Sequence, residues 1–177
     1  MVDITALGEW ATTFQQVYDR TIIRYRSGAR DPATSFPEED AKFLASIGCS
    51  PRELHDFVED WCDDKVPTFE TVLRITAIQR DYFLNELKGQ PASTKADSSS
   101  FPERDAELGG HRWLPRIIAK ARAKLRGELP QDLMYSCGAD RQFLKTTGLK
   151  APEFLEVVRH AGNDDQKILA YVQEEGA

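Results

Sequence analysis

The basic stretch from Arg112 to Arg126 is the first candidate for chemistry in this sequence. If it is helical, one edge carries basic side chains at i, i+4 spacing, namely Arg116, Lys120 and Lys124, flanked by Arg122 and Arg126. Such an edge could bind a phosphate, a carboxylate, nucleic acid or an anionic membrane surface. An amphipathic helix that packs its apolar stripe and leaves Lys and Arg in water has the same pattern, and we favour that interpretation.

Cys137 is the second candidate, with Asp140, Tyr135 and either Arg116 or His111 as its partners. A cysteine just before a helix can be activated as a thiolate by the positive end of that helix. Arg116 could assist by its charge, and His111 could act as a base if the fold brings it close. A single cysteine is more often a small buried hydrophobe, and Asp140 would then only support the start of its helix. We favour the second interpretation.

The acidic sequence EDWCDD at residues 59–64 follows His55 by one helical turn and is the third candidate. His55 and Glu59 could share a metal ion, with Cys62 or Asp63 as a further ligand. Zinc sites usually show paired Cys or His ligands at close spacing, which this sequence lacks. We therefore predict neither a metal nor another cofactor.

The charge distribution argues against a nucleic-acid-binding protein. The net charge is −6; residues 1–88 hold 10 Lys and Arg against 16 Asp and Glu, and residues 103–177 hold 12 of each. The helix–Gly–helix patterns around Gly48 and Gly148 have the spacing of a helix-turn-helix, but their second helices carry several acids and few base-reading side chains. There is no phosphate loop, dinucleotide fingerprint or GxSxG motif. We do not expect nucleic acid to be the main partner.

Helices are predicted to position all of these residues. Apolar residues recur at helical spacing, which predicts helices over 10–26, 38–47 and 68–87, then over 114–126, 140–147, 152–160 and 164–174. Ser50-Pro51-Arg52-Glu53 predicts a further helix start with a capping box. Gly48 and Gly148 are expected to end helices in a left-handed conformation, and Asn163 is expected to cap the last helix. Strand signals are nearly absent, so the predicted fold class is all-α.

The two halves of the chain resemble each other. When residues 40–58 are set against residues 140–158 without a gap, six of 19 positions are identical, including Phe43 with Phe143 and Gly48 with Gly148. About one identity is expected by chance. We infer an internal duplication that produces two tandem, pseudo-equivalent four-helix units.

A segment rich in Ser, Gly and Pro separates the halves. The sequence GQPASTKADSSS at residues 89–100 has no large apolar residue with which to order itself, so it is predicted to be a flexible linker. The predicted organisation is a first helical unit at 1–88, a linker at 89–102 and a second helical unit at 103–177.

The second half resembles the bacterial domain-of-unknown-function family 5069. The resemblance rests on Trp113-Leu-Pro-Arg116, on Lys120-Ala-Arg-Ala123 and on later single positions: Gly127, Tyr135, Cys137, Asp140, Phe143, Leu144 and Gly148. It covers residues 103–172. The family implies a small helical domain and has no established activity, so the resemblance supports the fold and supplies no reaction.

The composition indicates a protein of a reducing compartment. Three cysteines form no close pair, which argues against a disulfide framework. The first ten residues lack the basic start and apolar block of a secretory signal, and no apolar run approaches the roughly 20 residues of a membrane span. We expect a cytoplasmic protein.

These observations lead to a hypothesis of a helical, non-enzymatic binding or scaffold protein whose partner is a small anionic ligand or another protein. The ligand groove is predicted between the units, close to Arg116, Lys120, Tyr135, Cys137 and Asp140. One alternative is a small thiol-dependent enzyme centred on Cys137. Another is a nucleic-acid or membrane-surface module that uses the helix from Arg112 to Arg126.

Overall fold

The structure, a computed structural model, describes residues 7–175 of the chain. These residues form eight α-helices and one very small hairpin, which confirms the predicted all-α class. Residues 1–6, which belong to the N-terminal segment that the signal-peptide prediction concerns, lie outside the described residues. The chain divides into two compact units between Arg80 and Asp81.

Four helices begin in the first unit: α1 (Glu9–Arg26), α2 (Glu38–Ser46), α3 (Pro51–Asp64) and α4 (Phe69–Asn85). The predicted capping box at the start of α3 is present, because the Glu53 N–H donates to Ser50 Oγ and the Ser50 N–H donates to the Glu53 carboxylate. Helix α1 packs against α3. The core of this unit is built from the apolar faces of the helices, including Phe14, Val17, Leu44, Leu54, Val58 and Val72.

The second unit opens with a two-stranded antiparallel hairpin, β1 (Glu107–Leu108) and β2 (His111–Arg112). Its turn is Gly109-Gly110, and both residues have positive φ, as a type I′ hairpin turn requires. Four helices follow: α5 (Leu114–Leu125), α6 (Gly138–Thr146), α7 (Ala151–Ala161) and α8 (Asp165–Glu175). Helix α7 packs against α5 and α8. The buried apolar residues of this unit include Leu114, Ile117, Ile118, Phe154, Leu155 and Ile168.

Two helix starts differ from the sequence prediction. The side chain before α8 that accepts backbone N–H groups, from Gln166 and Lys167, belongs to Asp164, so the predicted Asn163 cap is wrong. Helix α6 begins two residues earlier than expected because Cys137, with an extended backbone, takes the N-cap position. Asp140 therefore lies inside the first turn of α6.

Residues 89–102 contain one short 3-10 helix, Ser98–Ser100, and otherwise no regular element. The segment contacts the loop after α5: the Ala96 N–H donates to the Glu128 carbonyl, and the Lys95 ammonium donates to the Gly127 carbonyl. Phe101, near its end, is buried. The unit boundary in the structure lies at 80/81, inside α4; the role of residues 89–102 as a flexible linker stays a prediction.

The helix bounds repeat along the chain. The nine residues of α6 are those of α2 plus 100 in number, and α7 begins 100 residues after α3. Gly48 and Gly148 have φ values of 72° and 70°, which confirms that both adopt the left-handed conformation expected after a helix. That the two units are copies of one ancestral unit stays a prediction.

Among residues 7–175, none of the helices combines the length and the apolar content that crossing a bilayer requires.

Candidate functional site

The basic edge of α5 does not lie in solvent. Lys120 and Lys124 are each only 2% exposed, although their spacing along the helix matches that of a surface edge. The apolar stripe that includes Ile117 and Ala121 is also buried, so α5 is enclosed on more than one side. Neither interpretation of the basic stretch applies to these two lysines: they are not solvated, and they do not form an open anion-binding surface.

A buried carboxylate explains the position of Lys120. Asp140 has no exposed surface, and the Lys120 ammonium donates to its Oδ2 over 2.6 Å. The indole N–H of Trp113 donates to Oδ1 over 2.9 Å, and the Ser136 backbone N–H donates to Oδ2 over 2.8 Å. A buried ion pair persists only when its charges are paired and its remaining polar sites are satisfied, as here.

Cys137 lies beside this pair. The Lys120 ammonium lies 3.2 Å from Cys137 Sγ, within hydrogen-bonding distance for sulfur, so one ammonium contacts both the thiol and the Asp140 carboxylate. The thiol is not disulfide-bonded, and the residue is half-buried, at the N-cap of α6. The hydrogen bond to the thiol thus comes from Lys120 rather than from Arg116 or His111.

The backbone at this cluster is strained. Trp113 and Ser136, which both donate to Asp140, have φ values of 75° and 66°, in the left-handed region that non-glycine residues seldom adopt. Each such residue costs on the order of 1 kcal/mol, and strain of this kind concentrates at functional sites. The Ser136 hydroxyl is also buried without a hydrogen-bond partner among the described residues.

Two of the five predicted ligand-binding residues point elsewhere. Tyr135 is buried, and its hydroxyl donates to the Ala151 carbonyl over 2.7 Å, at the start of α7. Burial, reinforced by the negative charges of Asp140 and Glu153, raises the pKa of Tyr135 well above its usual value. The Arg116 guanidinium donates to the Pro102 carbonyl over 2.6 Å. The structure therefore brings together Lys120, Cys137 and Asp140, whereas the polar groups of Tyr135 and Arg116 contact backbone carbonyls. The ligand-binding role of these five residues stays a prediction.

The first unit contains a related ion pair at the corresponding residue numbers. Asp40, in the first turn of α2, is 2% exposed and accepts hydrogen bonds from Arg20 over 2.6 Å and from Arg24 over 3.0 Å. Burial raises the pKa of Asp40, but the hydrogen bonds and charges of both arginines outweigh it and hold the pKa below its usual value. The N-cap of α2 is Pro37, where α6 has Cys137.

Sequence reasoning missed Arg20, Arg24 and Trp113. The first two were detectable, because the offset of 100 that relates Asp40 to Asp140 also relates Arg20 to Lys120 and Arg24 to Lys124. At both aligned positions, the two halves have a basic residue, and apolar residues predicted to be buried lie next to it. This pattern indicates a buried basic residue with an acidic partner. No local pattern marks Trp113 as a donor to Asp140.

Basic side chains also line an open cleft of about 230 Å³ in the second unit. Arg122, near the end of α5, and Arg126, which follows the last residue of α5, line this cleft together with Phe101 and Glu128. Arg126 donates to the amide oxygen of Asn163 over 3.1 Å, a neutral acceptor that does not compensate the guanidinium charge. A second cleft, of about 390 Å³, is lined by residues of α7 and α8: Glu153, Glu156, Val157, His160, Ala161, Lys167 and Tyr171.

Arg122 has more partners than Arg126. It donates through Nε to the Gly162 carbonyl over 2.8 Å, and its Nη2 lies 2.6 Å from the carboxylate of Asp165. Asp165 is half exposed, so this ion pair is weakened by solvent. The charge of Arg122 is therefore partly compensated by Asp165.

The third candidate, His55 with the acidic residues that follow it, includes a compact group in the first unit. Ligand atoms of His55, Asp56 and Glu59 all lie within 4.8 Å of one another. Burial lowers the pKa of His55, and burial raises the pKa of Asp56 to about 6. Asp56, rather than Cys62 or Asp63, is the third member of this group; Asp63 accepts a hydrogen bond from Tyr25 instead.

No curated protein and no solved structure matches the chain. Residues 102–177 match the family model described as "Domain of unknown function (DUF5069)". The cluster of Trp113, Lys120, Cys137 and Asp140 and the cleft residues Arg122 and Arg126 all lie inside the matched range. The second half of this chain is therefore similar to the DUF5069 family, as its sequence indicated.

Proposed function

We propose that this protein is a non-enzymatic binding protein and that its second unit takes a small anion, such as phosphate or a small carboxylate, in the cleft beside Arg122 and Arg126. The observation that carries the proposal is the pair of guanidinium groups lining one concave surface. Guanidinium groups recognise phosphate and carboxylate with two parallel hydrogen bonds, which lysine cannot do.

The size and charge of the cleft favour a small ligand. A volume of about 230 Å³ is below the range of roughly 300–1,000 Å³ typical of pockets for drug-sized molecules. Glu128 also lines the cleft and would repel a ligand that extended towards it. Lys120 does not line this cleft: it is buried, and its ammonium contacts Asp140 Oδ2 and Cys137 Sγ.

Thermal unfolding of the full chain in inorganic phosphate or acetate at constant ionic strength tests the proposal. A ligand at about 100 times its Kd stabilises the folded state by about 2.7 kcal/mol. We expect one of the two anions to raise Tm, and Arg126→Gln to remove the increase. Arg104→Gln is the matched control, since it removes the same charge from an exposed site outside the cleft. Absence of stabilisation by either anion, or equal losses in both variants, would contradict the proposal.

A second candidate function is thiol chemistry at Cys137, favoured by the 3.2 Å contact between Lys120 Nζ and Sγ. The thiolate is the nucleophilic form of cysteine, and a nearby ammonium can stabilise it. Cys137 is half-buried, whereas Cys49 is buried.

Alkylation of the intact protein by iodoacetamide, with each cysteine followed by peptide mass spectrometry, tests this candidate. We expect Cys137 to react faster than Cys62 at neutral pH, and Lys120→Met to slow Cys137 alone. Equal rates at the two thiols, or an unchanged rate at Cys137 in the variant, would remove thiol chemistry from consideration.

The third interpretation, a nucleic-acid or membrane-surface module, has little support. Two of the basic residues of α5 are buried, and Arg116 donates to a backbone carbonyl. The three cysteines are free, which supports our proposal of a reducing compartment such as the cytoplasm.

A further inference from the structure

We propose that the first unit binds a divalent first-row transition-metal ion through the imidazole of His55 and the carboxylates of Asp56 and Glu59. The three residues lie on α3, and their ligand atoms are within 4.8 Å of one another. The proposal is independent of the anion cleft, because all three residues belong to the first unit.

His55 supplies the main observation. The side chain is 3% exposed, and both ring nitrogens are buried without a hydrogen-bond partner among the described residues. A buried polar group left without a partner costs roughly 1–3 kcal/mol, so native structures rarely keep one. A metal ion bound to one nitrogen would supply the missing interaction.

The spacing on α3 suits one shared ion. His55 and Glu59 are four residues apart and therefore lie on the same face of the helix. Two ligand atoms that each lie roughly 2.0–2.2 Å from one Zn²⁺ are at most about 4.4 Å apart. His55 Nδ1 and Asp56 Oδ1 are 4.0 Å apart, so small side-chain rotations are enough to close the group around an ion.

Helix α1 holds the group from the other side. The Tyr25 hydroxyl lies 3.3 Å from Glu59 Oε1 and 3.2 Å from Asp63 Oδ2, and it donates a shared proton to these carboxylates. Its ring meets the His55 ring edge-on, with the centroids 5.6 Å apart. Hydrogen bonds of this kind fix the orientation of a metal-binding carboxylate and increase metal affinity.

The donor set selects the class of ion. One imidazole nitrogen with two carboxylate oxygens suits Zn²⁺, Co²⁺, Ni²⁺ or Fe²⁺, whereas Mg²⁺ and Ca²⁺ prefer oxygen ligands alone. Asp56 at present pairs with Arg52 over 2.8 Å, and a metal ion would replace that guanidinium as the counter-charge. Arg52 is 45% exposed and can turn into solvent.

Titration of the chelator-treated full chain with Co²⁺ and Zn²⁺ tests the inference, by calorimetry and by the visible absorption of bound Co²⁺. We expect the wild-type protein to bind one ion. The substitutions His55→Ala and Glu59→Gln should each weaken the affinity for that ion about tenfold or more. Asp64→Asn is the matched control: it removes the same charge from an exposed position on the same helix, and affinity should be unchanged.

Two further measurements test the metal site without His55→Ala, and they apply even if that variant does not fold. Arg52→Gln should tighten binding, because it frees Asp56, and Mg²⁺ in excess should not displace Co²⁺. Wild-type affinity in Glu59→Gln, a loss as large in Asp64→Asn, or displacement by Mg²⁺ would overturn the proposal. None of these results depends on whether the second unit binds an anion.

Discussion

Removal of the Lys120 ammonium should destabilise the second unit severely. The charges lie 2.6 Å apart, and Lys120 and Asp140 are 2% and 0% exposed. At an effective dielectric constant of about 20, this distance corresponds to roughly 6 kcal/mol of attraction. Part of that is offset because Lys120→Met no longer buries an ammonium. Loss of one partner from a buried pair typically costs about 3–5 kcal/mol, so we expect about 3 kcal/mol for Lys120→Met.

Urea unfolding followed by Trp113 fluorescence measures this loss. Trp113 donates to Asp140 and so reports on the site itself, provided that Trp10 and Trp61 are replaced by Phe in every variant. The free energy of unfolding follows from the urea midpoint, and the comparison is valid while the slope with urea is unchanged.

Two companion variants separate the buried charge from general effects of the substitution. In Lys120→Met with Asp140→Asn, no unpaired carboxylate is buried, and we expect about 1–2 kcal/mol of the loss to be recovered. Lys145→Met makes the same change at an exposed position of α6 and should cost no more than about 0.5 kcal/mol. A loss below about 1 kcal/mol for Lys120→Met, or one matched by Lys145→Met, would refute the reasoning.

Three further outcomes are expected. The pKa of Asp40 is lowered in the folded protein, so the contribution of this carboxylate to stability is complete above its ordinary pKa of about 3.9 and is lost as the pH falls below that value. When the pH is lowered from 7 to 3, the urea midpoint of the first unit should therefore fall less in Asp40→Asn than in wild type. Gly109→Ala should lower Tm more than Gly110→Ala, because a Cβ at Gly109 would lie 2.5 Å from Leu169 Cδ1 whereas a Cβ at Gly110 meets no atom within 4 Å; equal shifts would contradict this packing argument. Ser50→Ala should cost about 1 kcal/mol of unfolding free energy, since it removes the capping interaction at the start of α3, and an unchanged urea midpoint would show that the cap contributes nothing.

The helices were predictable because their signals are local. The capping box of Ser50 and Glu53 and the glycines at 48 and 148 act within one turn of chain, so a linear sequence contains all the information needed. The error at Asn163 is of the same local kind. Asp164, one residue later, is an equally good cap, and only the geometry of the loop decides between them.

The burial of Lys120 and Lys124 was not predictable from α5 alone. Hydrophobic periodicity assigns lysine to the solvent side, because burying an ammonium is costly in the absence of a partner. The partner, Asp140, lies 20 residues along the chain and meets Lys120 only after α5 and α6 have packed. The candidate site is thus a product of tertiary structure, and the sequence supplied its members without their arrangement.

The position of Tyr135 illustrates the same limit. A tyrosine close in sequence to a cysteine and an aspartate indicates a polar site. In the structure, however, its hydroxyl donates to the Ala151 carbonyl at the start of α7. Which of several polar groups a phenol contacts depends on distances that spacing along the chain does not determine.

The shortness of α2 and α6 has a consequence for how the protein opens. Each has nine residues, fewer than the roughly 12–15 at which an isolated helix begins to persist in water. Each is fastened near its first turn by one carboxylate, Asp40 or Asp140, to the long helix before it. Amide protons of these two helices should therefore exchange with solvent in a cooperative step, and replacing the single acid should make that step more frequent.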